Sequence, residues 1–183
     1  MEGYIRILFV GGDVLNSNLP YRPIIHIPKT KIEKISDCVG FGLFFLSLLY
    51  VLINWNVIPE KIPAHFNGSG EVDRWGSKYE IIILPIIGIF QFVLMSLLEK
   101  APHMHNYPKR INESNVEQFY LQSRKLLNVV KNLCSIMFAY LIVQIVRVSK
   151  GDIQSLGIGF LPILLVVMTI VIIIGILQQK KIN

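Results

Sequence analysis

The sequence predicts an all-α integral membrane protein with four transmembrane helices and an interfacial amphipathic helix before the third. Of its 183 residues, 52% are apolar and only 16% are charged, whereas a soluble domain carries about 25% charged residues. The apolar residues also fall into four long runs, each of which approaches the roughly 20 residues that a membrane-spanning helix needs. A soluble domain of this size could not bury four such runs.

The four apolar runs define the predicted spans. The second and fourth runs are long enough to cross a membrane by themselves. The first and third are shorter, and they cross if polar side chains at their ends, such as Lys131 and Arg147, extend to the lipid–water interface. We therefore predict one membrane domain over residues 22–179, with spans at about 38–56, 81–98, 129–147 and 155–177.

Three polar segments precede or separate these spans. Residues 1–21 are predicted to be a cytoplasmic N-terminal extension, and residues 57–80 an extracytoplasmic loop. Residues 99–128 are predicted to form a cytoplasmic loop and an amphipathic helix that lies at the membrane interface. Ser114 and Glu117 fit a capping box at the start of this helix. A plain helical extension of the third span is the alternative.

The basic residues predict the orientation. Thirteen Lys and Arg residues lie before the first span, between the second and third, and after the fourth, whereas five lie in the two other loops. The positive-inside rule places the richer set in the cytoplasm, so both termini are predicted to be cytoplasmic. The net charge of +6 then faces the lipid bilayer headgroups. Nucleic acid is excluded as a partner because apolar runs separate the basic residues.

The extracytoplasmic loop carries the first candidate site. Its Asn67-Gly68 pair is a turn signal that would fold the two halves of the loop together. The loop then either caps the helix ends as a polar hairpin or binds a ligand. The candidate ligand-binding residues are His65, Asn67, Asp73, Trp75 and Lys78.

We predict no metal and no cofactor. His65 and Asp73 are eight residues apart, a separation that matches no standard spacing of metal ligands. His103 and His105 lie in the cytoplasmic loop, and their spacing can hold a metal only in an extended conformation. The predicted orientation also places these two histidines on the opposite face of the membrane from His65.

Motifs in both loops resemble a known family. The extracytoplasmic loop resembles the hallmark of a bacterial membrane family catalogued as domain of unknown function 1648, and it resembles the N-terminal part of SdpI-type immunity proteins. The resemblance covers roughly residues 22–177 and begins with Arg22-Pro23. It rests on Ile58-Pro59, Ile62-Pro63-Ala64-His65-Phe66-Asn67, Gly70, Asp73 and Trp75-Gly76-Ser77-Lys78. It also implies a second motif of candidate site residues, His103, Asn106, Tyr107, Tyr120 and Arg124.

The resemblance implies a multi-pass protein of the bacterial plasma membrane that provides immunity to a secreted peptide toxin or senses the state of the envelope. SdpI-type proteins can also hold a protein partner at the membrane, which implies a membrane or cytoplasmic partner here. They carry a further membrane domain that the resemblance does not cover, so immunity is a loose implication. The hypothesis is that the extracytoplasmic loop recognises a ligand.

Two other classes of function stay open. The chain could be a membrane-embedded metal-dependent enzyme that uses His65 and Asp73, or an accessory subunit of a transporter. Against the enzyme, the H-E-x-x-H pattern of zinc proteases is missing from the sequence. Against both, we expect no buried acidic residue within a span, although ion paths and active sites in membranes usually need one. The sequence therefore favours a non-enzymatic role.

Overall fold

The computed structural model of the protein describes residues 22–183, so the predicted extension at residues 1–21 lies outside the described residues. Within residues 22–183, four helices are long and apolar enough to cross a membrane, which confirms the predicted fold class. They are α1 (Lys31–Asn54), α2 (Ile83–Lys100), α3 (Val116–Ser149) and α4 (Phe160–Lys180). Short 3₁₀ segments adjoin them at Trp55–Val57, Lys78–Ile82 and Pro102–Met104.

The third helix is much longer than a membrane span. Its 34 residues correspond to about 51 Å at 1.5 Å per residue, whereas the hydrocarbon core is about 30 Å thick. The segment predicted as a separate interfacial helix is the first part of α3, so the structure has the plain extension instead. No Gly or Pro lies within α3, and the backbone therefore has no local reason to break.

The helix starts differ in how they are capped. Thr30 caps α1 in a capping box, in which the Glu33 backbone N–H donates to Thr30 Oγ1 at 3.3 Å and the Glu33 carboxylate accepts from the Thr30 N–H at 2.8 Å. The box predicted at Ser114 and Glu117 is wrong. Asn115 is the N-cap of α3, and the Ser114 hydroxyl donates to Asn112 Oδ1 at 2.7 Å, within the preceding turn.

The loop between α1 and α2 is an antiparallel hairpin of two strands, β1 (Lys61–Phe66) and β2 (Val72–Ser77). Its turn forms as the Asn67-Gly68 signal predicts, because Asn67 Oδ1 accepts from the backbone N–H of Ser69 at 2.9 Å and of Glu71 at 3.0 Å. Gly70 has a φ of 80°, a conformation that favours glycine. Its carbonyl accepts from the Leu156 N–H at 2.8 Å, which joins the hairpin to the loop before α4.

α3 lies at the centre of the bundle and contacts α1, α2 and α4. Ile142 and Val146 of α3 are fully buried and belong to a core that includes Phe44 of α1. Gly88 of α2 makes room for the Phe44 ring of α1, since a Cβ atom at this position would lie 2.6 Å from that ring. The packed α3 thus positions the other helices, while α4 exposes most of its apolar surface, as expected in lipid.

The two ends of the bundle differ chemically. We call residues 54–83 and 144–162 the hairpin end, because β1 and β2 lie there. We call residues 22–37, 96–132 and 178–183 the basic end. At the basic end, the extended segment before α1 and the start of α1 meet the end of α2 and the first half of α3.

Candidate functional site

His65 and Asp73 form the most direct contact between predicted site residues. His65 Nδ1 lies 2.6 Å from Asp73 Oδ1, across the two strands of the hairpin. Both side chains are exposed, the histidine by 64%. With Nδ1–H donating to the carboxylate, Nε2 is left to accept a hydrogen bond from a ligand. The pair is therefore an oriented histidine at the surface of the hairpin.

The other three predicted residues of this loop serve different purposes. Lys78 is buried, and its ammonium donates to the backbone carbonyl of Trp55 at 2.5 Å. The same ammonium lies 4.6 Å from the centre of the Trp55 indole ring. It therefore anchors the hairpin to the end of α1. Asn67 shapes the turn and donates to Glu71 Oε2 at 3.2 Å. Trp75 is 52% exposed and presents an aromatic surface.

A cavity of about 570 Å³ lies beneath the hairpin. Its walls are mostly apolar and come from β1, the start of α2, the end of α3 and the start of α4, with Leu84, Ile145 and Phe160 among the lining residues. The polar side chains around it include His65 and Arg74. The sequence did not reveal this cavity, because its walls come from four separated segments of the chain.

Arg74 is already paired within this site. Its guanidinium donates to Glu80 Oε2 at 3.1 Å and to the Ala64 carbonyl at 3.2 Å. Glu80 in turn accepts from the Ser77 N–H at 3.0 Å, in the capping box that begins the segment leading into α2. The arginine therefore braces the wall of the cavity. Among residues 22–183, no group of three His, Cys, Asp or Glu side chains is arranged to hold a metal ion.

The second motif lies at the basic end and contains an aromatic cluster. The ring of Tyr107 lies 5.2 Å from that of Tyr120, and its hydroxyl donates to the Pro102 carbonyl at 2.8 Å. Burial raises the pKa of Tyr107 to about 12, so the hydroxyl stays protonated at physiological pH. His103 lies on the 3₁₀ segment of this loop, and Asn106 is exposed. The structure thus brings only the two tyrosines of this motif into ring contact.

His105, which we did not select as a site residue, is held more firmly than His103. Its Nδ1 lies 2.6 Å from Ser123 Oγ, and its Nε2 lies 3.1 Å from the Leu98 carbonyl. Burial lowers the pKa of His105, and the nearby His103 lowers it further, although the hydrogen bond to Leu98 opposes this. A neutral ring that donates from Nε2 and accepts from Ser123 at Nδ1 satisfies both contacts.

Arg124 fastens the extended segment before α1 to α3. It is 3% exposed, and its guanidinium contacts the Glu33 carboxylate at 2.9 and 3.1 Å. The same group donates to the backbone carbonyls of Ile27 and Pro28. Its donors are therefore satisfied by protein groups, which is typical of an arginine that holds structure together.

Four charged side chains form a closed ring that connects three helices. Lys131 Nζ lies 2.8 Å from both Asp37 Oδ1 and Glu99 Oε1. Lys29 Nζ lies 2.6 Å from Asp37 Oδ2 and also contacts Glu99. We call these four residues the ion-pair ring. Asn128 Nδ2 donates to both carboxylates, at 2.7 and 3.2 Å. Burial alone would lower the pKa of Lys29, but its hydrogen bonds to the two carboxylates raise it overall.

Two buried acidic residues lie in the helices just outside the predicted span limits of 38–56 and 81–98. Glu33 and Glu99 are 3% and 2% exposed, and both lie in helices that can cross a membrane. These helices extend beyond the apolar runs that the sequence shows, because the charges at their ends are neutralised by partners. The spacing of Arg124, Asn128 and Ser135 places polar residues on one face of α3. This polar face is the sequence signal that indicates buried polar partners in the neighbouring helices.

Comparisons with known proteins support the hairpin segment as a family feature. An 80-residue segment is 32% identical to a protein of Archaeoglobus fulgidus named "Uncharacterized protein", and it covers 43% of this chain and 42% of that relative. No solved structure matches the chain. Residues 42–89, which span the hairpin and the adjoining parts of α1 and α2, match the family described as "Domain of unknown function (DUF1648)". The resemblance to this family is thereby confirmed for residues 42–89, about a quarter of the chain.

Proposed function

We propose that this multi-pass membrane protein recognises an amphipathic peptide at the cavity beneath the hairpin, as an immunity or envelope-sensing protein would. The observation that carries the proposal is an apolar cavity of about 570 Å³ with the oriented His65–Asp73 pair on the strands above it. Its volume lies within the roughly 300–1,000 Å³ typical of binding pockets. Such a cavity has room for a few apolar side chains of a peptide, but not for a folded protein.

The chemistry of the cavity suits a peptide that inserts into membranes. The apolar walls would take hydrophobic side chains, and His65 Nε2 would accept a hydrogen bond from a polar group of the peptide. Asp73 would act through His65 by fixing the ring, while Asn67 and Lys78 would hold the hairpin in position. Trp75 would lie at the headgroup level, where aromatic rings are enriched.

The proposal also includes an orientation. The hairpin end would be extracytoplasmic and both termini cytoplasmic, in a bacterial plasma membrane, because the positive-inside rule favours the basic end for the cytoplasm. A cysteine at Ser69, in the hairpin turn, should react with an impermeant maleimide added to intact cells. A cysteine at Ser114, at the basic end, should react only after permeabilisation. The reverse pattern would overturn the orientation.

The two other function classes are less well supported. A metal-dependent enzyme would need a third ligand beside His65 and Asp73, and residues 22–183 provide no such group. An accessory subunit of a transporter gains some support from the ion-pair ring, since ionisable groups in spans are often functional. Each charge of the ring has a partner of opposite sign, however, which is equally typical of a structural network.

A survival assay tests the proposed function. A sensitive bacterium that produces the chain would be challenged with a panel of secreted membrane-active peptides, with membrane levels matched by immunoblot. We expect protection by the wild type against at least one peptide and loss of that protection in His65→Ala and Asp73→Ala. The matched control is Lys61→Gln, an exposed residue of β1, which should protect fully. Protection against no peptide, or equal protection by all variants, would contradict the proposal.

A further inference from the structure

The acidic side chains of the spans at the basic end are all neutralised within the protein. Glu33 pairs with Arg124, and the two carboxylates of the ion-pair ring pair with its two lysines. Three buried or half-buried bases thus balance three acids, so these six groups contribute no net charge. Any excess charge at this end must come from the other side chains.

The remaining basic side chains at this end have no acidic partner within the described part of the chain. Six of them are exposed lysines, whereas only two exposed glutamates lie at this end, Glu113 and Glu117. The lysines occur at the start of α1, at the end of α2, in the following loop and at the end of α4. They are Lys31, Lys34, Lys100, Lys109, Lys180 and Lys181, and we call them the basic rim.

Among residues 22–183, the hairpin end has fewer basic side chains without an acidic partner, namely Lys61, Lys78 and Arg147. Arg74 pairs with Glu80 at 3.1 Å, and Lys150 lies 3.7 Å from Asp152. Lys78 is buried against Trp55. The positive charge that is free to act on a ligand is therefore concentrated at the basic end.

Exposed apolar residues beside the basic rim indicate which kind of ligand it binds. Ile32 and Ile35, which adjoin Lys31 and Lys34, are 76% and 62% exposed. Leu97 near Lys100 and Leu177 near Lys180 are likewise exposed apolar residues in helices that can cross a membrane. A ligand of this rim must combine an anionic group with an apolar part. A phospholipid fits this requirement, whereas a soluble anion or an acidic protein surface does not.

We propose that the basic rim binds anionic phospholipids through their headgroup phosphates. The lysine stems would lie along the acyl chains while each ammonium reaches the phosphate, as long basic side chains do at an interface. Several lysines around the bundle attract anionic lipids together, and the attraction is strongest at low salt. The protein would thus gather an anionic lipid shell at one end only.

Spin-labelled lipids measure this preference directly. The full chain would be reconstituted into bilayers of phosphatidylcholine with phosphatidylglycerol, and the protein-bound fraction of each labelled lipid measured by electron paramagnetic resonance. We expect phosphatidylglycerol to be bound about fivefold more strongly at low salt, the effect of roughly one lysine near the surface. The preference should decline towards unity in 1 M NaCl, where screening is nearly complete. Equal binding of the two lipids at low salt would overturn the proposal.

Variants assign the preference to the basic rim. The fourfold variant Lys31→Gln, Lys34→Gln, Lys180→Gln, Lys181→Gln should lose at least half of the preference. The matched control, Lys61→Gln with Lys150→Gln, removes two charges from the hairpin end and should keep it. Inorganic phosphate at constant ionic strength should not compete, since it lacks the apolar part. An unchanged preference in the fourfold variant, or competition by phosphate, would contradict the proposal; if that variant does not fold, the phosphate test on wild type decides.

Discussion

Single side chains at the basic end illustrate how charge is tolerated inside this bundle. Asp37 accepts from Lys29, Lys131, Asn128 and Asn132, and therefore has a polar partner on each side. Transfer of a charge out of water is costly unless such partners are present. The charges of the ion-pair ring therefore stabilise one another, and removal of one charged side chain leaves another charge without its partner.

Lys131→Met tests this dependence. It leaves Asp37 and Glu99 with Lys29 as their only cation in the ion-pair ring, and we expect a loss of about 3–5 kcal/mol in the free energy of unfolding. Adding Glu99→Gln to that variant should restore part of the loss, because the charges balance again. The control Lys125→Met lies outside the ring. Denaturant titration in detergent measures all three variants, and a loss in Lys131→Met no larger than in Lys125→Met would contradict the account.

His105 predicts a pH dependence of stability. Burial lowers the pKa of His105 in the folded protein, whereas an exposed histidine in the unfolded chain has a pKa of about 6.5. Its contribution to stability is therefore present above about pH 6.5 and is lost as the pH falls towards the lowered folded-state pKa. His105→Gln should flatten the decline of stability between neutral and mildly acidic pH, while His103→Gln should not. Parallel pH profiles for wild type and His105→Gln would refute this role.

At the scale of the secondary-structure elements, the contact of the Phe44 side chain of α1 with α2 depends on Gly88. The Phe44 ring occupies the space that a side chain at this position would take. Gly42 lies on α1 with no atom within 4 Å of where its Cβ would be, although it is also a helical glycine. The two glycines therefore differ in packing while they share the same intrinsic helix propensity.

This difference gives a matched pair of substitutions. Gly88→Ala should destabilise the protein by about 1–3 kcal/mol, because the added methyl overpacks the contact with Phe44. Gly42→Ala should leave stability unchanged or raise it by up to about 1 kcal/mol, the gain in helix propensity. Thermal unfolding in the same detergent compares them. Equal effects of the two substitutions would contradict the tight contact between the Phe44 ring and Gly88.

Some features of the fold could be predicted from the sequence, and others could not. The apolar runs that contain Phe44 and Gly88 identified spans because lipid exposure requires nearly continuous apolar sequence. The Asn67-Gly68 turn was also readable, since its geometry depends on local residues. The ion-pair ring was not, because Asp37 and Lys131 lie far apart in the chain and each resembles an ordinary interfacial charge. The cavity beneath the hairpin escaped prediction for the same reason.

At the scale of the whole molecule, α3 connects two different chemical environments. Ile145 near its end lines the cavity beneath the hairpin, while Arg124 and Lys131 in its first half hold the basic end together. The hairpin end would contact a peptide ligand, and the basic rim would contact anionic lipid. The central claim of the account is that the cavity is the site at which the peptide binds.

Photo-crosslinking tests that claim most directly. A benzophenone amino acid would replace Leu161, which lines the cavity, or Leu177, an exposed residue near the other end of α4. The probe is a labelled peptide from the survival panel to which the wild type gives resistance. The account predicts crosslinking at position 161 that excess unlabelled peptide abolishes, and none at position 177. Equal crosslinking at both positions, or crosslinking at 177 alone, would contradict a peptide site beneath the hairpin.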